Sequence, residues 1–435
     1  MLFTKAFLAS LAMASSAYGQ STVSSASSAS SASKTSTASA AASSSALAVC
    51  SSTLTASSQA DLDTISSCST FKGDIILASP ITAAAINGVQ AITGSLSVVN
   101  ITTLTSLSAP QLGNVSDTVD LRILEALTEV NFPSLTQAST LNLVTMNKIS
   151  TINFAAGVSS LDTLVVSDTS LTSISGVNPT KLTTLNINNN KYLTALNFSL
   201  TYVYELDISS TANSVSINLP KLTSAHNATF RDASSINIAN VSLVNSTLSF
   251  VNTTVKNIQL PKLTDIEGSL AIVSNSQLTN ISFPLLTVIG GGFQIANNSK
   301  LASFSGFPLL ETVGGAIDFV GDFDNATLPE LSTVRGGVTV DSSSEDFNCS
   351  SWNALQSANG IRGDSYVCKA ATVSTSVAIA STATASSNSK TSSAASATAT
   401  GESSSSSSSK NGAVGSYGLE SSLFGAIALF VLQFI

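Results

Sequence analysis

Three groups of residues have types and spacing that could do chemistry. His226, the chain's one histidine, stands in SAHNATF, and a histidine is the usual general base. Asp318, Asp322 and Asp324 are close enough in sequence to suggest a calcium loop. SFPLLTVIGG at 282–291 and GFPLLETVGG at 306–315 end in glycine pairs, as a phosphate cradle would. None of the three survives its context. No serine, cysteine and carboxylate arrangement surrounds His226, which reads as a turn residue before a strand. The aspartates lack the closing Glu of a calcium loop, and Asp318 falls on an outward strand position. The glycine pairs bring no Lys and lead into strands, not helices, and LPELSTVRGG at 328–337 is a third copy. The motif is a repeat, not a site.

The elements that must carry these residues repeat throughout. Pro110, Pro133, Pro220, Pro261, Pro284, Pro308 and Pro329 are each followed two residues later by Leu. In phase with them runs an alternating segment, from Ile75-x-Leu77 and Leu96-x-Val98 through Leu185-x-Ile187 to Val338-x-Val340. Alternation at period two signals a strand. A strand every 20–24 residues means stacked coils. Leu182-Thr-Thr-Leu185-Asn-Ile187-Asn-Asn-Asn190 even follows the leucine-rich form LxxLxLxxN. The expected fold is therefore mostly β, a parallel β-solenoid of about 12–13 coils over residues 49–370. In this reading Pro fixes a corner and the glycines allow the next tight bend. Solenoid ends need caps, and the four cysteines sit at the ends. They allow three pairings, of which Cys50–Cys68 and Cys349–Cys368 each close a short loop. With no CxxC and no histidine nearby, they do not read as a zinc site.

The alternation also assigns the outward face. Its central positions are Ser97, Asp120, Asn142, Val165, Asn186, Asp207, Thr229, Ser249, Ala271, Gln294, Asp318 and Thr339. Asp120, Asp207 and Asp318 fall four and five coils apart, roughly 20 Å or more. Paired carboxylates for glycoside hydrolysis must be far closer. That weakens, without removing, the reading as a parallel β-helix carbohydrate enzyme that cuts polysaccharides. For a contact face, the candidates are Arg122 and Arg231 at the next outward positions, and Tyr204 in a group with Tyr192 and Tyr202.

Composition bounds the rest. Net charge is −8 and only 10 % of residues are charged, so no basic patch exists for nucleic acid. Residues 1–19 read as a secretory signal ending in Ala17-Tyr18-Gly19. Residues 20–48 and 371–411 are Ser/Thr/Ala tracts, too poor in large apolar residues to order themselves. The second reads as a glycosylated stalk. Residues 412–435 read as a GPI-anchor propeptide, with Asn411 as the chosen attachment residue and Gly412 or Ser409 as the alternatives. Eleven Asn-x-Ser/Thr sequons occur, at Asn100, Asn114, Asn197, Asn227, Asn240, Asn245, Asn252, Asn280, Asn297, Asn325 and Asn348.

The ordered combination resembles the fungal extracellular-mutant and sporulation-specific cell-wall proteins. The residues that carry it are Cys50 to Cys68 with Gly73-Asp74-Ile75, the recurring Pro-x-Leu turns, the glycine pairs before the late strands, and Cys349 to Cys368. The resemblance covers about residues 49–435 and implies a receptor-L-domain-like, leucine-rich solenoid. It also implies a glycosylated, GPI-anchored protein of the plasma membrane's outer face and the wall, needed for wall integrity. Wall glucan or mannoprotein would be its neighbours. The family brings no cofactor and no catalytic residues. A surface receptor or adhesin, binding a protein or glycan through the sheet, is the second expectation.

Overall fold

The computed structural model describes residues 49–209 and 215–371. The signal segment, the 20–48 linker, the stalk from residue 372 onward, Asn411 and the terminal tail lie outside these residues.

The described chain is a parallel β-solenoid of about 13 turns. Its broad sheet is built from 22 strand segments, all paired in parallel. One inward column runs from Leu54 through Ile75, Leu96, Val119, Leu141, Leu164, Leu185, Leu206, Ala228, Leu248, Leu270, Phe293, Ile317 and Val338 to Tyr366. All but the terminal two are buried. Each buried Leu, Ile, Val or Phe contributes on the order of 1.5–3 kcal/mol, but only because the neighbouring coil covers it. The column adds a rung at each end of the expected series, Leu54–Ala56 and Tyr366–Lys369.

The far side of the coil is different from a leucine-rich repeat with a helix in every unit. Among the described residues only two helices occur, Gln59–Asp63 and Ser350–Ser357, one near each end. Within the coils, narrow parallel sheets take the helix's place. One joins Ala83–Ala85, Ser106–Ser108 and Glu129–Asn131, and another joins Ala195–Asn197, Val215–Asn218 and Ala233–Asn237. Two-stranded ones pair Asn257–Gln259 with Asn280–Ser282, and Ser303–Phe304 with Asn325–Ala326.

The corner after each broad-sheet strand is regular. Asn100, Ile123, Thr145, Asp168, Asn189, Asp232, Asn252, Ser274 and Asn297 all have positive φ, between 50° and 59°. This left-handed region is tolerated best by Asn and Asp, which supply six of the nine. The next residue turns inward. Where it is polar, it is satisfied. Buried Asn275 accepts from the Thr253 backbone N–H at 2.9 Å and donates to the Phe250 carbonyl at 3.0 Å. Asn190 does the same with Thr169 and the Val166 carbonyl, and Asn298 continues the ladder to Ile272. Each amide ties its coil to the preceding one, Asn275 also reaching Asn298 of the following coil, and leaving such a group unpaired would cost about 1–3 kcal/mol.

The glycine pairs act differently from the expected bend. Gly290, Gly291, Gly314, Gly315 and Gly336 are not among the residues with positive φ. Instead a Cβ on Gly290 would lie 2.1 Å from the Glu267 carbonyl oxygen, and one on Gly314 2.0 Å from that of Gly290. The glycines let successive coils press backbone to backbone.

Both ends are capped. Cys50 is bonded to Cys68 and Cys349 to Cys368. The first helix buries Leu62 and fastens Gln59 to the Ala85 backbone through two hydrogen bonds, of 2.8 and 2.9 Å. Its Asp61 accepts from the Ser57 and Ser58 N–H groups at 2.9 Å, which hold its carboxyl below the usual range. The second helix sets buried Trp352 edge-on against Phe319, 5.7 Å between ring centroids. Behind it Phe293, Phe304, Phe307 and Phe283 form a continuous aromatic run with centroids about 5.0 Å apart.

Candidate contact face

The outward column of the broad sheet is the one expected, position by position. Ser97 faces Asp120, Asp120 faces Asn142, and the register passes through Val165, Asn186, Asp207, Thr229, Ser249, Ala271, Gln294 and Asp318 to Thr339. The three aspartates therefore stand four and five rungs apart, and neighbouring rungs bring no second carboxylate into this column. With rungs about 4.8 Å apart, the nearest pair is separated by roughly 19 Å. No two of them can flank one glycosidic bond.

Each aspartate has its own surroundings. Asp120 is held by Arg122, with contacts of 2.6 and 2.7 Å to its two oxygens, and Asn142 donates to it at 3.4 Å. Arg122 is thus spent on its own strand, although its side chain remains half exposed. Burial pushes the Asp207 carboxyl up; Arg231 opposes the shift and Glu205 adds to it. Its Oδ1 is buried and accepts no hydrogen bond. Burial also pushes Asp318 up, against the Gln294 amide that donates to it at 2.9 Å. Asp322 and Asp324 accept from Ser343 and Ser344 of the next coil, at 3.1 and 2.6 Å. The three aspartates of the would-be metal loop thus turn to three different partners.

His226 is not in a turn. It belongs to the strand Ser224–Arg231 and stacks on Tyr204 of the preceding coil, 4.3 Å between centroids and 8° between planes. Both occupy the second position before the inward residue of their strands, Leu206 and Ala228. That shared offset was the sequence signal for the pair. Tyr192 pairs instead with Lys191, whose ammonium lies 4.9 Å from its ring centroid. The three contact candidates do not converge. Tyr204 lies before the central column, Arg231 after it on the next rung, and Arg122 five rungs from Arg231. What the face offers is a long strip of amides, hydroxyls and carboxylates, bordered midway by a stacked ring pair.

The sequons fall outside the central outward column. Asn100, Asn252 and Asn297 occupy the left-handed corner and are exposed. Asn197, Asn280 and Asn325 are exposed on the narrow sheets. Asn114, Asn227, Asn240 and Asn245 are only partly exposed. Exposed Asn348 accepts from the Ser350 N–H at 3.1 Å, beside the second disulfide. A shallow groove beside the narrow sheet is lined by Gly176, Asn178, Asn197, Phe198 and Asn218 among others, with no carboxylate.

No family model matches the chain, and no solved structure matches it. Curated proteins do. Cell wall mannoprotein PST1 of Saccharomyces cerevisiae is 36 % identical over 320 residues, 73 % of this chain and 72 % of the relative. Cell wall protein ecm33 of Schizosaccharomyces pombe is 36 % identical over 323 residues, 73 % of this chain and 76 % of its own length. A cell surface GPI-anchored protein of Arthroderma benhamiae is 34 % identical over 308 residues, 70 % and 79 % of the two chains.

Proposed function

The chain belongs to the family of these fungal cell-wall proteins, and on that premise we propose that it is a non-catalytic organiser of the wall, held at the outer face of the plasma membrane. The observation that carries the reading is the extent of the likeness. It spans 72–76 % of the wall relatives, far more than one motif. A solenoid of that length is a spacer with a continuous side, not a scaffold around one pocket.

In this reading a GPI lipid at Asn411 holds the protein, the Ser/Thr stalk lifts the solenoid away from the bilayer, and N-glycans cover part of it. Wall glucan or mannoprotein meets the broad sheet. The polar column supports that contact, since hydroxyls, amides and carboxylates stand at ten of its twelve rungs, all but Val165 and Ala271, at a near-constant step like that of a polymer's units. Deletion of the gene followed by growth on wall-binding dyes tests the proposal. Hypersensitivity, restored by the intact chain but not by one lacking residues 412–435, is the expected result. Normal growth of the deletion strain counts against it.

A further inference from the structure

The eleven sequons are not equivalent. None of them lies in the central outward column of the broad sheet or in the outward column beside it, which runs from Val99 and Arg122 through Val144 and Ser167 to Asn188, and from Arg231 through Val251 and Val273 to Val320. Of those that do enter the broad sheet, Asn227 has its side chain engaged and Asn114 has its oxygen buried without a partner. Asn227 donates its Nδ2 to Glu205 at 2.8 Å and accepts from the Thr247 N–H at 3.0 Å, so both ends of the amide are engaged across neighbouring coils. Asn114 begins the strand Asn114–Arg122 and has its Oδ1 buried. Asn240, in a turn, donates its Nδ2 to the Pro220 carbonyl at 2.6 Å.

Two of the corner sequons and those on the narrow sheets are built the other way, whereas the third corner residue, Asn252, donates its Nδ2 to Asp232 at 2.6 Å. Asn100 and Asn297 hold φ of 59° and 56°, at a corner where the side chain is exposed while the next residue fills the core. Asn197 accepts from Asn218 at 3.2 Å and Asn325 accepts from Thr327, each through Oδ1, which leaves the Nδ2 that a glycan would occupy. Asn280 is exposed at the start of the strand Asn280–Ser282.

We propose that N-glycans are carried at Asn100, Asn197, Asn280, Asn297 and Asn325, that Asn114, Asn227 and Asn240 stay bare, and that the sugars therefore flank the broad sheet without covering it. Glycosylation converts the Asn amide from two N–H donors to one and attaches a branched oligosaccharide to Nδ2. At the corner this group leaves the protein directly. At Asn227 it would have to rise between Glu205 and Thr247, through the packed outward side chains. The partition rests on the reading that the chain enters the secretory pathway.

The test uses the full chain, expressed and exported by a fungal host. Glycopeptide mass spectrometry before and after peptide-N-glycosidase reads the occupancy of each site. Single variants at the third sequon position, Thr102→Ala, Ser299→Ala and Thr229→Ala, remove the acceptor signal at Asn100, Asn297 and Asn227 and leave the asparagine's backbone in place. Thr102→Ala and Ser299→Ala should each lose one glycan-sized step in electrophoretic mobility, and Thr229→Ala none. Occupancy of Asn114, Asn227 or Asn240 equal to that of Asn297 overturns the partition while leaving export intact. A chain with every sequon bare overturns both the partition and the secretory reading beneath it.

Discussion

Between residues 114 and 231 the broad sheet consists of long unbroken strands such as Gln137–Met146, Lys181–Asn188 and Tyr202–Ser209. Between 243 and 342 each coil breaks the same run in two, as in Val288–Ile289 with Phe293–Ala296, or Thr312–Val313 with Ile317–Gly321. From Gly268 onward glycines stand in the break, and backbone contact there replaces side-chain contact. The late coils also hold the aromatic run that ends on Trp352. The middle coils hold Arg122, Asp120, Asp207, Tyr204, His226 and Arg231. The difference teaches that regularity and chemistry are separated in this chain. The coils that announce themselves most loudly in the sequence are those with least to offer a partner.

Opening the late end is the severest way to probe that contrast. Cys349→Ser should cost roughly 2–5 kcal/mol, as loss of a native disulfide does in small secreted domains. Because coils contact only their neighbours, hydrogen exchange should rise in the late coils and stay protected in the middle ones. Uniform loss of protection would show the two regions to be one cooperative unit. Cys50→Ser is the matching change at the other end.

The next effect concerns the glycines. Gly314→Ala places a methyl group 2.0 Å from a carbonyl oxygen of the preceding coil and should cost about 1–3 kcal/mol by overpacking. Gly113→Ala, at the head of an unbroken strand, meets nothing nearer than 3.6 Å and should change stability by less than about 0.5 kcal/mol. Equal destabilisation in thermal melts would erase the distinction between the two coil types.

Smaller effects come from one aspartate in each region. Burial raises the folded-state pKa of Asp207 and Asp318 above the unfolded value, near 3.9. Between those two values the folded chain holds the extra proton, so stability falls as pH rises through the window. Asp207→Asn and Asp318→Asn should therefore raise the melting temperature slightly at neutral pH, with the gain vanishing below about pH 4. A gain that persists in acid would mean that burial of the charge is not its cause.

The smallest change in stability should carry the largest change in behaviour. Val144→Thr turns Asn142-Leu143-Val144 into a sequon on the central column, where the Asn142 amide, unlike that of Asn227, gives only a long 3.4 Å hydrogen bond to an Asp120 already held by Arg122. Its melting temperature should match the parent's, and its wall-bound fraction should fall if polymer meets the middle coils. Undiminished retention with the new glycan in place would move the contact off the sheet.

Much of this was legible in the sequence. The inward and outward columns follow from period two inside a strand and a near-constant step between strands, and those two numbers fix which residues face each other. The disulfides followed because short local loops close where the repeat stops. Three things escaped. The terminal rung Tyr366–Lys369 is separated from Val338 by the inserted helix, so its step breaks the period. The glycines were visible, but whether a glycine serves a bend or a close approach depends on a coil more than 20 residues away. His226 was misplaced because its strand carries the small Ala228 where the neighbouring strands carry Leu206 and Leu248, a weaker strand signal, and its partner Tyr204 becomes visible only once both strands are aligned. Of the candidate site, the positions were readable and their engagement was not. Arg122 looks free in sequence and is bound to Asp120 in space.

The second disulfide has a mechanical consequence. The chain leaves the solenoid just beyond Tyr366–Lys369, the last rung of a parallel sheet. Tension applied to whatever follows would peel that rung from Val338–Ser342 one hydrogen bond at a time, the weakest way to load a sheet. Cys368 lies on the peeling strand, and Cys349 lies 19 residues earlier, at the head of the capping helix. The bond between them passes the load across the loop, onto chain that enters the helix from the preceding rung. A tear that starts at the C-terminal end of this rung therefore meets a covalent stop before it reaches the aromatic core.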